Sequence, residues 1–482
     1  MKINWIVFLL CALVAPLHGQ PQNPNTDWFL KARYGLFVHY LNELQNNPSS
    51  LHSLGQSSSW SSCVRAFDVQ RFAEAVHQSG AGYVIFTTHQ RTRFLIAPNS
   101  AFNAVTGYAP GEACASRDLI ADLALALARY DIPLMLYWTG NGPSADAQAN
   151  ARMGWKTPID DSWLEKWCVV AEEYGQRYGE QVAGYWVDGC YQKHGGLHYQ
   201  DAQLERLVRA LKTGNPKRIV ALNPGVELSA YSRHEDFTAG EQNDFSLYPE
   251  SRWLNGEQWH VLSFLGYPRS DNYLSAGWGE PGVRYPAPEL ANYIYDVNAA
   301  GGVVSIDVML YRDGSLDRSQ LETLHRIRPL LEQIRDEAAK QTHNLAYRKP
   351  ARLLSQDGTH TLPVHPNGPH SARCGVDGQP RTAARACNEW AWTYEVDLQR
   401  IVSVREIAVI FGATFATEAR LDISTDQKTW TTLKRHVSPT NAPFIVSIPS
   451  TPIRWLRIVA EKPNAADQPG TQMSIAEVVV HE

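Results

Sequence analysis

Gly184-Tyr185-Trp186-Val187-Asp188-Gly189 is an apolar run that ends in a carboxylate and turns on a glycine. Aromatic and β-branched residues favour extended backbone, and an uninterrupted apolar run implies a strand covered on both faces. A carboxylate at the carboxyl end of a buried strand is where a barrel scaffold opens its site. An isolated Asp-Gly is equally well explained as a turn, so the reading depends on what surrounds it.

Outward from this stretch, short apolar runs alternate with helical patterns. The strand candidates are Gly35–Tyr40, Tyr83–Thr88, Leu134–Thr139, Gly184–Asp188, Arg218–Asn223, Asp236–Glu241, His260–Leu265 and Val303–Val308. Amphipathic stretches between them include Val69–Gln78, Ser116–Arg129, Asp160–Tyr178 and Ala202–Thr213. Covered strands separated by helices predict a parallel sheet, and eight of them predict a (β/α)8 TIM-like barrel in the α/β class. The alternative is an open doubly wound sheet; no Gly-x-Gly-x-x-Gly follows any strand, which weakens a nucleotide-binding version. Ser319–Gln341 reads as a closing helix that Pro329 kinks or splits. Beyond Thr342 the pattern changes to short strands with Pro and Gly turns. Trp392–Leu398, Val404–Phe411, Glu418–Ser424, Phe444–Ile448, Arg454–Ala460 and Ser474–Val480 predict an all-β sandwich. The expected organisation is 1–19, 20–341 and 342–482: leader, barrel and sandwich.

The leader reading rests on Lys2 followed by the apolar run Ile6–Val14, too short to span a bilayer, which predicts an exported protein. No later segment is apolar enough to cross a membrane. The net charge of −5 is well mixed and there is no basic run, which speaks against nucleic acid as a partner. Fifteen tryptophans and 21 tyrosines supply flat faces for sugar rings, or for core packing. Cys374 and Cys387 are close enough in sequence to close a small loop, while Cys63, Cys114, Cys168 and Cys190 are as well read as buried thiols. No Cys/His spacing resembles a zinc site, and nothing calls for an organic cofactor.

Several ordered blocks resemble the α-L-fucosidases of glycoside hydrolase family 29. They are Trp28 with Ala32-Arg33-Tyr34-Gly35-Leu36-Phe37-Val38-His39, Phe67-Asp68 to Thr88, Arg117-Asp118-Leu119 through Tyr137, Tyr185 to Gly189, Ala276-Gly277-Trp278-Gly279, and Gly301-Gly302 to Asp313-Gly314. The resemblance implies a retaining exo-glycosidase in which Asp188 is the nucleophile. A second carboxyl then serves as acid/base. Glu241, at the end of the sixth strand candidate, is the expected partner; Glu257 is the alternative, where the family's Trp-Glu pair reads Trp259-His260. By the same resemblance His39 binds a sugar hydroxyl and Trp278 forms a wall of the pocket. Tyr137, Trp138 and Trp186 are further wall candidates. The family's Lys-His-His-Asp-Gly-Phe run reads His89-Gln90-Arg91-Thr92-Arg93-Phe94 here. The broken histidine pair puts His89, Gln90 and Arg91 at the substrate position and suggests a different or anionic sugar, because arginine suits sulfate or carboxylate. Other readings are a galacto-configured substrate and a non-catalytic glycan-binding relative.

The tail resembles the discoidin, or coagulation factor V/VIII C-type, module. The matching segments are Asn344 to Ala351, Val376-Asp377-Gly378, Ser424-Thr425-Asp426 with Trp430, and Arg454-Trp455-Leu456-Arg457. This implies a glycan-binding accessory and a structural calcium near Asp377.

Overall fold

The computed structural model describes residues 23–482 except 192–197, 250, 269–276, 341–342, 356–371, 380–381, 386–392 and 463–472. The leader reading and Cys387 lie outside the described residues. Cys63, Cys114, Cys168 and Cys190 are buried free thiols.

The first part of the chain contains β1 (Tyr34–Val38), β2 (Val84–Thr87), β3 (Leu134–Thr139), β4 (Val182–Asp188) and β5 (Ile219–Leu222). A small hairpin of β6 (Trp253–Leu254) and β7 (Glu257–Gln258) follows, then β8 (His260–Phe264) and β9 (Val303–Val308). Seven of these strands form one sheet in the order β5-β4-β3-β2-β1-β9-β8, and every pair in it is parallel. Alternate residues divide between two cores, as the pleat requires. Phe37, Ile85, Met135, Tyr137, Trp186, Ile219, Ala221 and Leu262 pack together on one face. Their neighbours Leu36, Val84, Leu136, Trp138, Tyr185, Val220 and Val261 pack on the other, with the helices.

Eight regular strands were expected, and the sixth is not regular. The segment Asp236–Gln242 lies between β5 and β8 and bonds to both. It makes parallel bridges to β7 at Phe237–Gln258 and to β8 at Glu241–Leu262. Thr238 uses its hydroxyl there, donating to the His260 carbonyl (2.7 Å) and accepting from the His260 N–H (2.9 Å). Toward β5, Asp236 N–H donates to Val220 O (2.8 Å). The Val220 and Leu222 amides donate to carboxylates, Asp236 Oδ2 (2.8 Å) and Glu235 Oε2 (2.9 Å). Side chains thus replace the ladder that a regular strand would supply. Gly240 is required in this segment: its φ is +61°, and a Cβ there would stand 2.0 Å from the His260 carbonyl oxygen.

Helices start where the sequence provides caps. Asp68, Asp118 and Asp160 accept from the Arg71, Ala121 and Trp163 amides at 3.0, 3.0 and 2.9 Å. The closing helix is split, as Pro329 suggested. The break is at His325-Arg326, and Pro329 stands in the first turn of Ile327–Lys340, where its missing N–H costs nothing.

The rest of the chain is antiparallel. It comprises β10 (Ala351–Leu354), β11 (Thr393–Phe411), β12 (Glu418–Ser424), β13 (Thr431–Val437), β14 (Phe444–Lys462) and β15 (Ile475–His481). Two pairs of expected strands are each one long bent strand, β11 and β14, whose pairing shifts register between Asp397 and Val402. Gln399, at φ +66°, marks that bend. β10 and β13 were not anticipated; β13 is largely exposed and shows no apolar face. These strands share a core of their own. Asp296 on the barrel side accepts from Arg348 and forms an ion pair with Arg373 on the other, each at 2.9 Å. All three side chains are largely buried, so removal of Asp296 would strand two cations.

Glu257 is buried beside Glu235, and its Oε2 has no hydrogen-bond partner among the described residues. Burial first, then the charge of Glu235, push the Glu257 carboxyl far above its ordinary value of 4.5. The folded state therefore holds a proton that the unfolded chain releases above about pH 4.5. The contribution of Glu257 is fully present below that pH and is lost as pH rises. Glu257→Gln, neutral and able to donate to Glu235, is expected to raise Tm at pH 8 by several degrees and to change it little at pH 4. Equal shifts at both pH values would contradict the shared proton.

Candidate active site

Strand parity sends Gly184, Trp186 and Asp188 to the inner face of β4, and Asp188 is the last residue of the strand. Gly189 follows at φ +77° and turns the chain so that Tyr191 comes back over the carboxylate. Three donors converge on Asp188. Tyr137 OH donates to Oδ2 (2.6 Å), Tyr191 OH donates to Oδ1 (2.5 Å), and Asn223 Nδ2 donates to Oδ1 (3.1 Å). Burial and the Asp188 charge push both phenols far above their usual range, so they remain donors.

Asn223 is the first residue past β5, and its N–H is pinned to the Val187 carbonyl at 2.7 Å. The same Nδ2 that reaches Asp188 also donates to Glu241 Oε2 at 2.5 Å. Contacts of 3.1 and 2.5 Å from one nitrogen place the two carboxyl oxygens at most about 5.6 Å apart. Glu241 is pushed up to about 7, first by burial and then by the negative charge of Asp188. A carboxyl raised in this way suits a general acid.

His39 follows β1 and bonds through Nδ1 to Asp307 Oδ2 at 2.9 Å. The other oxygen of Asp307 accepts the Gly279 amide at 2.5 Å. One buried aspartate therefore fixes both His39 and the loop that carries Trp278. The Trp278 ring lies 5.0 Å from Phe264, edge-on, and is half-buried against the inner core. Tyr137 stacks on Trp186 at 5.7 Å, and Trp186 Nε1 donates to Ala239 O at 2.9 Å. Trp186 is thus the floor beneath the carboxyls.

Other expected residues are elsewhere. Trp138, one position from Tyr137, points to the helix layer and stacks on Trp167 at 4.7 Å, so it is not a pocket wall. His89 is fully buried between the Thr88 and Thr139 hydroxyls, at 3.1 Å each. Burial lowers it to about 3, so it is a neutral packing group rather than a sugar ligand. Gln90 does reach the site: its Nε2 donates to the Tyr137 phenol oxygen at 3.0 Å, which turns the phenol proton toward Asp188. Arg91 is exposed, with φ +57°. Arg93 pairs with Asp146 at 3.2 Å. Glu257 is level with Asp236 at the amino end of the barrel strands, because Gln258 bridges Phe237. Five residues along that strand, at about 3.3 Å each, separate this level from Glu241. Glu257 therefore does not approach Asp188.

Tyr191, Asn223 and Asp307 were not anticipated. Asn223 ends a strand candidate and Asp307 is the last residue but one of another, so their position was a signal; Tyr191 lies beyond a turn and gave none.

The sequence matches the family model "Alpha-L-fucosidase" over residues 56–333. No curated relative matches it in sequence. Among solved structures, the alpha-L-fucosidase AlfC from Lactobacillus casei in complex with alpha-L-fucose product is 18% identical, with a TM-score of 0.45, covering 66% of this chain and 100% of that one. A Ruminococcus gnavus GH29 fucosidase in complex with fucose is 12% identical, with a TM-score of 0.43, covering 96% of this chain and 94% of that one. The family match spans more than half of the chain and includes both Asp188 and Glu241: the chain belongs to the alpha-L-fucosidase family of glycoside hydrolases.

Proposed function

We propose that this protein is an exported retaining exo-glycosidase that releases a terminal α-linked fucose or a closely related sugar. The observation that carries the reading is the Asn223 amide shared by Asp188 and Glu241. The resulting ceiling of about 5.6 Å between these two oxygens lies nearer the roughly 5–5.5 Å carboxyl separation of retaining enzymes than the roughly 6.5–9.5 Å of inverting ones. Asp188 attacks the anomeric carbon as the glycosidic C–O bond breaks, and Glu241 gives its proton to the departing oxygen. Glu241, now anionic, takes a proton from water as that water displaces the Asp188 ester. That one transfer reprotonates Glu241, the ester bond electrons return to Asp188 as its carboxylate, and the cycle closes.

Sugar identity rests on the pocket. His39 and Trp278 stand where a hydroxyl and an apolar sugar face would meet them. An anionic sugar is a second reading, favoured only by the exposed Arg91, since Asp146 already neutralises Arg93. A panel of 4-nitrophenyl α-L-fucoside, α-L-galactoside and their sulfated forms separates the two.

We also propose that the carboxyl-terminal sheet is a discoidin-like module holding a calcium ion. Thr382 donates to Asp377 Oδ2 (2.8 Å), Gly378 N–H donates to Glu477 Oε2 (2.8 Å), and Glu477 Oε1 is buried with no hydrogen-bond partner among the described residues. Buried carboxylate and hydroxyl oxygens fit a hard cation. Among the described residues two carboxylates are present here, so further oxygens would complete the set.

Asp188→Ala is expected to abolish turnover while Tm stays near that of the parent. Glu241→Gln is expected to cost ~10²–10⁴ in kcat on glycosides with poor leaving groups. Parent kcat/KM should fall as pH rises through about 7, because Glu241 must begin protonated; an unchanged alkaline limb in Glu241→Gln would remove Glu241 from the role. Gln90→Glu replaces a donor with an acceptor that competes for the Tyr137 proton. It should lower kcat by about tenfold or more with KM nearly unchanged, and activity equal to the parent would contradict the relay. Calcium should raise Tm and chelation lower it, with both effects absent in Asp377→Ala; an unresponsive parent would exclude the ion.

A further inference from the structure

We propose that the amino-terminal end of the barrel carries a second binding site, which takes a glycan bearing sulfate or carboxylate groups. A cleft of about 400 Å³ opens there, among residues that precede β1 and β2 and one face of the helix Ile327–Lys340. Asp188 and Glu241 end their strands at the opposite rim, so the cleft is separate from the candidate active site and its test does not depend on that assignment.

The lining is cationic. Lys31 and Arg33 come from the end of the helix Asp27–Ala32, and Arg328 and Arg335 face them from the helix Ile327–Lys340. Arg328, Leu331, Glu332 and Arg335 follow the i, i+3, i+4, i+7 spacing of one helical face. Leu331 is buried and forms an apolar floor. Glu332 is the single carboxylate of the lining, and it meets Arg328 only at 3.6 Å, with both side chains well exposed. Such a pair contributes little. The side chains of Lys31, Arg33 and Arg335 make no hydrogen bond or ion pair among the described residues. A concave surface with three unpaired cations is unexpected in a protein of net charge −5, and it has no evident role in folding.

Arg33 is presented rigidly. Its backbone is in the left-handed region at φ +67°. Val304 N–H and Asn298 Nδ2 donate to its carbonyl at 3.1 and 3.0 Å. These contacts hold a conformation that a side-chain-bearing residue otherwise avoids, so the guanidinium projects from a fixed root. Guanidinium forks match sulfate and carboxylate in two-point hydrogen bonding. The volume suits a monosaccharide or disaccharide unit, with the Leu331 floor beneath an apolar ring face. The cations converge in a pocket rather than along a stripe, which disfavours a nucleic-acid backbone.

The experiment is calorimetric titration of the full chain with short dextran sulfate oligosaccharides, neutral dextran oligosaccharides and inorganic sulfate at low ionic strength. Dextran sulfate should bind, and neutral dextran should not. The double variant Arg33→Glu/Arg335→Glu should weaken dextran sulfate by about tenfold or more. The variant should hydrolyse an aryl glycoside at the parent rate. Lys31→Gln/Arg33→Gln, a milder change, should weaken binding in the same direction and guards against misfolding of the first variant. A control reversal of two exposed arginines outside the lining, Arg209→Glu/Arg405→Glu, should leave binding within twofold. Absence of dextran sulfate binding, equal loss in the control, or inorganic sulfate binding as tightly as the oligosaccharide would each overturn the proposal.

Discussion

Two carboxyl groups held close together repel, and a single amide nitrogen resolves that repulsion in this protein. Asn223 Nδ2 donates at once to Asp188 and Glu241. Two phenols then add donors to Asp188 alone. The asymmetry decides the chemistry. The proton settles on Glu241, which is raised first by burial and then by the charge of its neighbour. Neither residue would be informative without the other.

The scaffold delivers this arrangement through strand parity. Every second residue of β3, β4 and β5 faces inward, so Tyr137, Asp188 and Asn223 come to one rim from three adjacent strands. The inner core of Phe37, Tyr137 and Trp186 fills the space beneath them. The sixth strand position departs from regular geometry, and that departure is useful. Side-chain carboxylates and a threonine hydroxyl hold the segment in place, and the glycine before Glu241 lets it pass against β8. Glu241 is thereby aimed across the mouth.

Much of this was legible in the residues. Continuous apolar runs alternating with helical patterns gave the parallel strands, and Asp188, Glu241 and His39 were picked out at or near their carboxyl ends with the help of the family resemblance. The sequence was less informative where one residue's shift reverses the face. Trp138 was read as a pocket residue from its place near the end of the third strand, and His89 from its place in the altered histidine run, yet both turn to the helix layer. The bent strands β11 and β14 read as pairs of shorter strands because the bend interrupts the alternation. β13 was missed because an exposed edge strand carries no apolar signal. Tyr191 was missed because a loop residue's direction depends on the turn before it, and no local pattern encodes that.

The most direct measurement is the anomeric configuration of the first sugar released, followed by proton NMR during hydrolysis of an aryl α-glycoside that the enzyme accepts. Capture on Asp188 with Glu241 as acid and then base predicts that the α-anomer appears first and the β-anomer only later by mutarotation. Initial appearance of the β-anomer would mean a single displacement by water and would contradict the account.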